Sequence, residues 1–291
     1  MKTLLKWTGR VLGGIVVLLL VAYMVLYFRS ESIMGRTWDV AGRAVTIQPD
    51  SAALARADHF VHSLYGCAGC HGDDLAGGVM YDGPPGRFVA SNLTPGGVGA
   101  QYTDEDWDRA IRHGVGKGGR TLLIMGADRF RNLSDLDFAA LIAYIKSRPA
   151  VTNTLPRETL RPLGRVLVGA GVVVPAVVKI DHDAPPSAYI PPDTTAPYGE
   201  FLTSLSCVEC HGPSLSGGPH PDPAGPNAPN LAAAGAWPKE LFIRTLRTGV
   251  TPDGRQLDPN WMPWPEFKPL TDGELAAMHA YLGTLAHQSA D

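Results

Sequence analysis

Two pentapeptides dominate this chain: Cys67-Ala-Gly-Cys-His71 and Cys207-Val-Glu-Cys-His211. Together they use all four cysteines of a 291-residue sequence. On a helix, positions i, i+3 and i+4 share one face, so each pair of thiols and its histidine point the same way. Two thiols at that spacing can add to the two vinyl groups of one haem, with the adjacent imidazole placed under the ring to bind iron. C-x-x-C-H is accordingly a c-type haem attachment pattern. A C-x-x-C redox pair would need a βαβ setting that the sequence lacks. One zinc site shared by the four cysteines would want the pairs about 15–20 residues apart, not a whole domain apart. Structural disulfides would not explain the histidine in fifth place twice. The sequence therefore predicts two covalently bound c-type haems, attached through Cys67, Cys70, Cys207 and Cys210, with His71 and His211 on the irons.

The motifs sit in a repeat. Asn92-Leu93 matches Asn230-Leu231, Arg112-x-Gly-Val matches Arg247-x-Gly-Val, and Gly119-Arg120 matches Gly254-Arg255. Phe130-x-x-Leu-Ser-Asp likewise matches Phe267-x-x-Leu-Thr-Asp, and Ala143-Tyr144 matches Ala280-Tyr281. The landmarks keep their order, so two homologous domains are expected. Each reads as helices separated by long loops, in keeping with 33 glycines and 25 prolines. A first helix runs into the cysteine motif (51–65 and 198–206). A second begins near Thr103 or Pro238, where acidic residues or a proline suit a first turn. A last helix begins at Ser134 or Thr271. Thr271-Asp-Gly-Glu274 is a capping box, and Phe138, Leu141, Ile142 and Ile145 form an apolar stripe.

Upstream, Val11 to Phe28 is an unbroken apolar run of eighteen residues. As a helix it spans about 27 Å, close to a hydrocarbon core of about 30 Å. Lys2, Lys6 and Arg10 precede it, which keeps the N-terminus cytoplasmic and sends the rest across. A cleaved signal peptide would have a shorter apolar core and a small-residue cleavage site, and neither is evident. A second apolar run, Val166 to Val178, is too short to span and contains Gly169, Gly171 and Pro175. It reads as a buried segment, an interdomain seam or a docking surface for a membrane subunit. The net charge of −3 and the lack of a Lys/Arg run exclude nucleic acid as an expected partner.

With these motifs in view, the chain resembles two class I cytochrome c domains in tandem behind a membrane anchor, over about two-thirds of its length. It is also similar to the membrane-anchored cytochrome c subunits that serve periplasmic dehydrogenases, although those often carry three haems and this chain has two motifs. The resemblance implies an all-α fold in which haem supplies much of each core. It implies this division: anchor 1–30, linker 31–50, first domain 51–150, Pro-rich connector 151–195 and second domain 196–291. In that family the sixth iron ligand is a methionine late in the domain. Met125 and Met262 are the methionines at equivalent positions in both copies, each five residues before Phe130 or Phe267. Met262-Pro263 matches the family's Met-Pro, whereas Met125-Gly126 departs from it. Met80 is the main competitor of Met125; Met278 reads as packing, and His59 and His62 as surface residues. The resemblance also places the carbonyl that orients each histidine in a Pro-containing loop, near Pro84-Pro85 and Pro226 or Pro229.

His/Met ligation saturates the iron, raises its potential and suits electron transfer. The expected function is a membrane-tethered dihaem cytochrome in a bacterial inner membrane, haems on the periplasmic side. It would pass single electrons from a dehydrogenase or quinol-oxidising partner to an oxidase or a soluble cytochrome or copper carrier. A subunit integral to a larger respiratory or photosynthetic complex is the alternative. A dihaem peroxidase is a further one, disfavoured because both copies carry a methionine for the sixth position. No side chain is required to make or break substrate bonds.

Overall fold

The computed structural model describes residues 2–64, 66–222 and 224–288. About half of the chain is helical. The first helix, Lys2–Met34, carries the apolar run, is long and apolar enough to cross a membrane, and keeps that window out of the protein core. It continues four residues past the expected anchor boundary. Residues 36–50 then run without regular structure along the first repeat. Trp38 N–H donates to the Gly119 carbonyl (3.0 Å), its indole N–H to Thr121 Oγ1 (3.0 Å), and Arg43 N–H to Asp108 Oδ2 (2.9 Å).

The repeat expected from sequence is a structural repeat. The helices entering the motifs are Ser51–Val61 and Ala196–Ser206; the middle helices are Asp104–His113 and Lys239–Thr248; the last are Asp135–Ser147 and Asp272–Gln288. Their starts follow from local chemistry. Thr103 and Asp106 make a reciprocal capping box. Ser134 accepts from Asp137 N–H, and Thr271 and Glu274 cap each other in both directions. Pro238 sits one position before the helix as its N-cap rather than inside the first turn.

The all-α expectation needs one correction. The segment between the first cysteine motif and the first middle helix forms a hairpin, Gly78–Gly83 against Gly86–Ala90, closed by Pro84-Pro85. Thr159–Leu160 of the connector adds a third short strand. A two-residue ladder joins Val115–Gly116 to Arg120–Thr121. Prolines flanked by glycines cannot continue a helix, and an extended pair satisfies their neighbours' backbone groups. The connector, too, packs back on the first repeat: Asn92 Nδ2 donates to the Val151 carbonyl at 2.7 Å.

Two landmark arginines share one structural task. Arg112 donates to the Leu133 carbonyl (2.6 Å), Arg247 to the equivalent Leu270 carbonyl, and each pairs with the aspartate opening the last helix, Asp135 (3.0 Å) or Asp272 (2.8 Å). Each thereby ties the middle helix to the loop before the last one. Arg112 is 1% exposed and also holds Asp108, which is fully buried, at 3.1 Å. Arg112→Ala leaves that carboxylate without its guanidinium and is expected to destabilise the first repeat by ~3–5 kcal/mol. Denaturant titration followed by helical circular dichroism checks this; a loss below about 1 kcal/mol contradicts it.

One apolar core runs through both repeats, from Ala53 and Phe60 to Leu275 and Leu282. Polar contacts cross the same seam. His59 Nε2 lies 3.0 Å from Glu274 Oε2, so His59 is not the surface residue expected. The hydrogen bond that His59 donates to the Glu274 carboxylate raises the His59 pKa above 6.5, against the effect of burial. Burial alone would raise Glu274, but hydrogen bonds from His59 and Thr271 hold it below 4.5. The raised histidine stabilises the seam below its unfolded pKa and loses that contribution as pH rises through the folded value. The lowered glutamate contributes above its unfolded pKa and loses that as pH falls. The latch is therefore strongest between pH 4.5 and 6.5. His59→Gln should flatten the alkaline side of the stability–pH curve by under about 1 kcal/mol. Thermal unfolding at pH 5.5 and 8.5 reads this, and an unchanged difference between the two contradicts it.

Candidate haem sites

Each cysteine motif is a single helical turn, Cys67–His71 or Val208–His211, followed by a glycine at positive φ (Gly72, 80°; Gly212, 77°). Leu75 and Leu215 then adopt φ of 58° and 56°, a conformation L-residues seldom take, at equivalent places. The same hydrogen bonds enforce both turns. Gly77 N–H donates to the His71 carbonyl (2.7 Å) and Gly217 N–H to that of His211 (2.9 Å). Leu93 N–H reaches the Leu75 carbonyl and Leu231 N–H that of Leu215, both at 2.9 Å. A Cβ on Gly77 would lie 2.5 Å from the Ala90 carbonyl oxygen, and one on Gly217 2.3 Å from that of Ala228, so both glycines are required by close approach.

These turns aim the histidines. His71 Nδ1 lies 2.7 Å from the Ser91 carbonyl oxygen, and His211 Nδ1 lies 2.8 Å from that of Pro229. Nδ1–H donation leaves Nε2 with its lone pair free for a metal. Burial pushes both imidazoles below their usual pKa, against the pull of the carbonyl, which favours the neutral ligating form. Burial likewise pushes the Cys67 thiol up to about 12 and that of Cys207 to about 11. Pro229 was among the expected acceptors. The Pro84-Pro85 expectation is wrong: those prolines close the hairpin, and the Pro85 carbonyl accepts from Arg161 N–H. Ser91 and Pro229 each immediately precede the Asn-Leu landmark, so the repeat alignment carried the signal and the proline criterion obscured it.

In the second repeat the candidate residues converge. Cys207, Cys210, His211 and Met262 line one cleft of about 870 Å³, counting its open mouth. Leu231, Phe242, Leu246, Phe267 and Leu282 supply its apolar wall. Met262 lies on the loop before the last helix; its N–H donates to the Asp258 carbonyl, and Trp264 N–H donates back to its own carbonyl at 2.7 Å. Met278 lines the same cleft from the last helix, 1% exposed. In the first repeat, Cys67 and Met125 are half-buried against the core, whereas Met80 lies on an exposed strand. His113 does not approach the motif: its Nδ1 lies 2.9 Å from that of His182.

No spacing or motif in the sequence signals that the first repeat borders the second haem motif. Ser63, Leu64, Gly66 and Arg129 of the first repeat line the cleft of the second. Arg129 lies 3.2 Å from Glu209 and donates to the Leu205 carbonyl; burial raises the thiol pKa of Cys67, Cys70 and Cys210, and the Arg129 charge opposes that rise. Its buried Nε has no partner among the described residues.

An apolar slot of this size, with two thiols, a carbonyl-oriented imidazole and a thioether on its lining, fits a flat tetrapyrrole carrying iron and defines a c-type cytochrome site. Comparison with known proteins agrees. The Cytochrome c family model matches residues 61–149 and 198–286, and the chain belongs to the cytochrome c family, with two domains in tandem. Covalent c-type haem accompanies that membership. The chain is similar to the fructose dehydrogenase cytochrome subunit of Gluconobacter japonicus, 27% identical over 269 residues, 80% of this chain and 54% of that protein. It is similar also to the alcohol dehydrogenase (quinone) cytochrome c subunits of Gluconobacter oxydans (strain 621H), 35% over 189 residues, and Gluconacetobacter polyoxogenes, 36% over 114 residues. These cover 58% and 36% of this chain, and 37% and 24% of the relatives. The chain thus spans about half the length of the first relative and less of the others.

Proposed function

We propose that this chain is a membrane-tethered dihaem cytochrome that carries single electrons as the cytochrome subunit of a dehydrogenase, delivering them to an oxidase or a soluble cytochrome or copper carrier. The observation that carries this reading is the second repeat's cleft, where both cysteines, His211 and Met262 share one apolar slot. The relatives' names support the dehydrogenase partner over a free-standing carrier. Residues 51–150 and 196–291 are the two haem domains, 1–30 the anchor, and 31–50 and 151–195 the connecting segments. The anchor places the haem domains on the periplasmic side of a bacterial inner membrane and raises their local concentration for a membrane partner.

When bound, each haem supplies a one-electron couple. The chain's own residues do the rest. Cys67 and Cys70, or Cys207 and Cys210, would hold the haem covalently. His71 and His211 are held by the Ser91 and Pro229 carbonyls to face the metal through Nε2. Met125 and Met262, on loops, would supply a soft sulfur to the iron, which favours its ferrous state. The apolar wall excludes water, so little solvent need reorganise when charge changes. Because the first repeat lines the second cleft, an electron can cross between sites inside one chain.

Pyridine haemochrome analysis of the purified chain should give two c-type haems, and purification in mild detergent should retain a dehydrogenase subunit. A single haem refutes the dihaem assignment; a chain that leaves the membrane alone refutes the subunit role.

A further inference from the structure

The apolar run Val166 to Val178 finds its place beside the anchor. The connector helix Pro162–Gly169 packs along the C-terminal part of Lys2–Met34. A Cβ on Gly169 would lie 2.2 Å from the Leu26 carbonyl oxygen, so the two backbones touch there. On the facing side Ser30 is fully buried. Arg165 stands over the Tyr27 ring (4.5 Å to its centroid) and pairs with Glu31. Arg165 thus meets the anchor at its charged end, and Gly169, one turn further along, meets it at Leu26. Leu26 lies three residues inside the apolar run that ends before Arg29, about 4.5 Å deeper along the axis. The connector helix descends toward the hydrocarbon.

The residues beyond Gly169 are suited to lipid. The helix end satisfies its own backbone: Ala170 N–H donates to the Val166 carbonyl, Gly171 N–H to Val168, and Val172 N–H to Leu167, all at 2.8–3.0 Å. Gly171, at φ 76°, makes that closure possible. Val172 (52% exposed), Val174 (39%) and Val178 (52%) then each leave a large part of their side chain on the surface. No charge occurs from Val166 to Val178, and Arg165 and Lys179 bracket the segment. The return leg is fixed to the first repeat, with Ala176 and Val177 buried and Lys179 bonded to Asp128 at 2.6 Å.

We propose that the tip of this segment, Ala170 to Val174, inserts into the outer leaflet beside the anchor as a second membrane contact. The occupant of the apolar face is lipid at the boundary of headgroups and acyl chains, because the face continues the anchor's own apolar surface and the N–H groups of Ala170 to Val173 are bonded within the helix end. The inference rests on the anchor crossing the membrane. Two contacts, unlike one helix, stop the first repeat swivelling on the bilayer and fix which side of its haem site faces a membrane-bound partner.

The test uses the full haem-loaded chain in phosphatidylethanolamine/phosphatidylglycerol vesicles, at low protein-to-lipid ratio, with a membrane-impermeant maleimide. Single variants Leu18→Cys, Val172→Cys, Val174→Cys and, on the exposed connector, Thr152→Cys are compared, with the unsubstituted chain as blank. Val172→Cys and Val174→Cys should react at least about tenfold more slowly than Thr152→Cys, as should Leu18→Cys, because the reactive thiolate is excluded from hydrocarbon. If Leu18→Cys is protected while both valine variants react like Thr152→Cys, the tip lies in water and the proposal fails with the anchor intact. If Leu18→Cys also reacts at the Thr152→Cys rate, the anchor reading fails and takes this proposal with it.

Discussion

A chain carrying Cys207→Ser and Cys210→Ser is expected to bind half the haem of the unsubstituted protein and to lose the fold of its second repeat. The reason lies in the cleft. Phe242, Leu246, Phe267, Met278 and Leu282 are buried residues whose side chains line it, and without the ring they face one another across an unfilled cleft. The enclosed part of that cleft is about 140 Å³, and at ~24 cal/mol per Å³ leaving it empty costs about 3 kcal/mol. Domain stabilities are themselves only about 5–15 kcal/mol. The first repeat keeps its own cysteines, so one haem should remain. Haemochrome analysis counts the haems, and limited proteolysis locates the damage. Cleavage should concentrate in residues 196–288. Two retained haems, or proteolysis spread evenly over both repeats, would overturn the expectation.

Met262→Ala should lower the potential of one haem by on the order of 0.1–0.2 V, within the ~0.8 V that axial ligands span. The far-red charge-transfer band of sulfur-ligated ferric haem should fall by half. Loop geometry is the basis: Met262 is held between the Asp258 carbonyl and Trp264 N–H, and the Trp264 indole N–H is in turn bonded to the Leu257 carbonyl (3.2 Å). The loop presents the sulfur to the cleft with little freedom to lose. Met278 is the control, since it lines the same cleft from within the last helix. Met278→Leu should leave the band intact and change stability by less than about 1.5 kcal/mol. A redox titration that loses its upper wave with Met278→Leu rather than Met262→Ala would reassign the ligand.

Much of the candidate site was legible because its chemistry is local. Cys67, Cys70 and His71 lie within one helical turn, so their common face follows from helix geometry alone. Caps at Thr103, Ser134 and Thr271 are equally local, each an exchange between a side chain and a backbone group three residues on. The methionines came through the repeat, and Met262 does share its cleft with His211. Where local rules compete, sequence and structure part. Pro84-Pro85 satisfied a proline criterion for orienting His71, yet the same residues are better turn formers, and the chain used them so. His59 passed for a surface residue because its partner, Glu274, lies 215 positions away.

The sequence by itself determined how many attachment motifs there are, what chemistry each can perform, where the helices begin and which stretch is long enough to cross a bilayer. All of these depend on spacings of a few residues or on the length of one run. Only the tertiary structure decided which carbonyl aims each histidine, that Arg129 of the first repeat pairs with Glu209 in the second motif, and that the connector descends along the anchor. Those contacts join residues tens to hundreds of positions apart, and their existence depends on how whole helices pack, which no short spacing encodes.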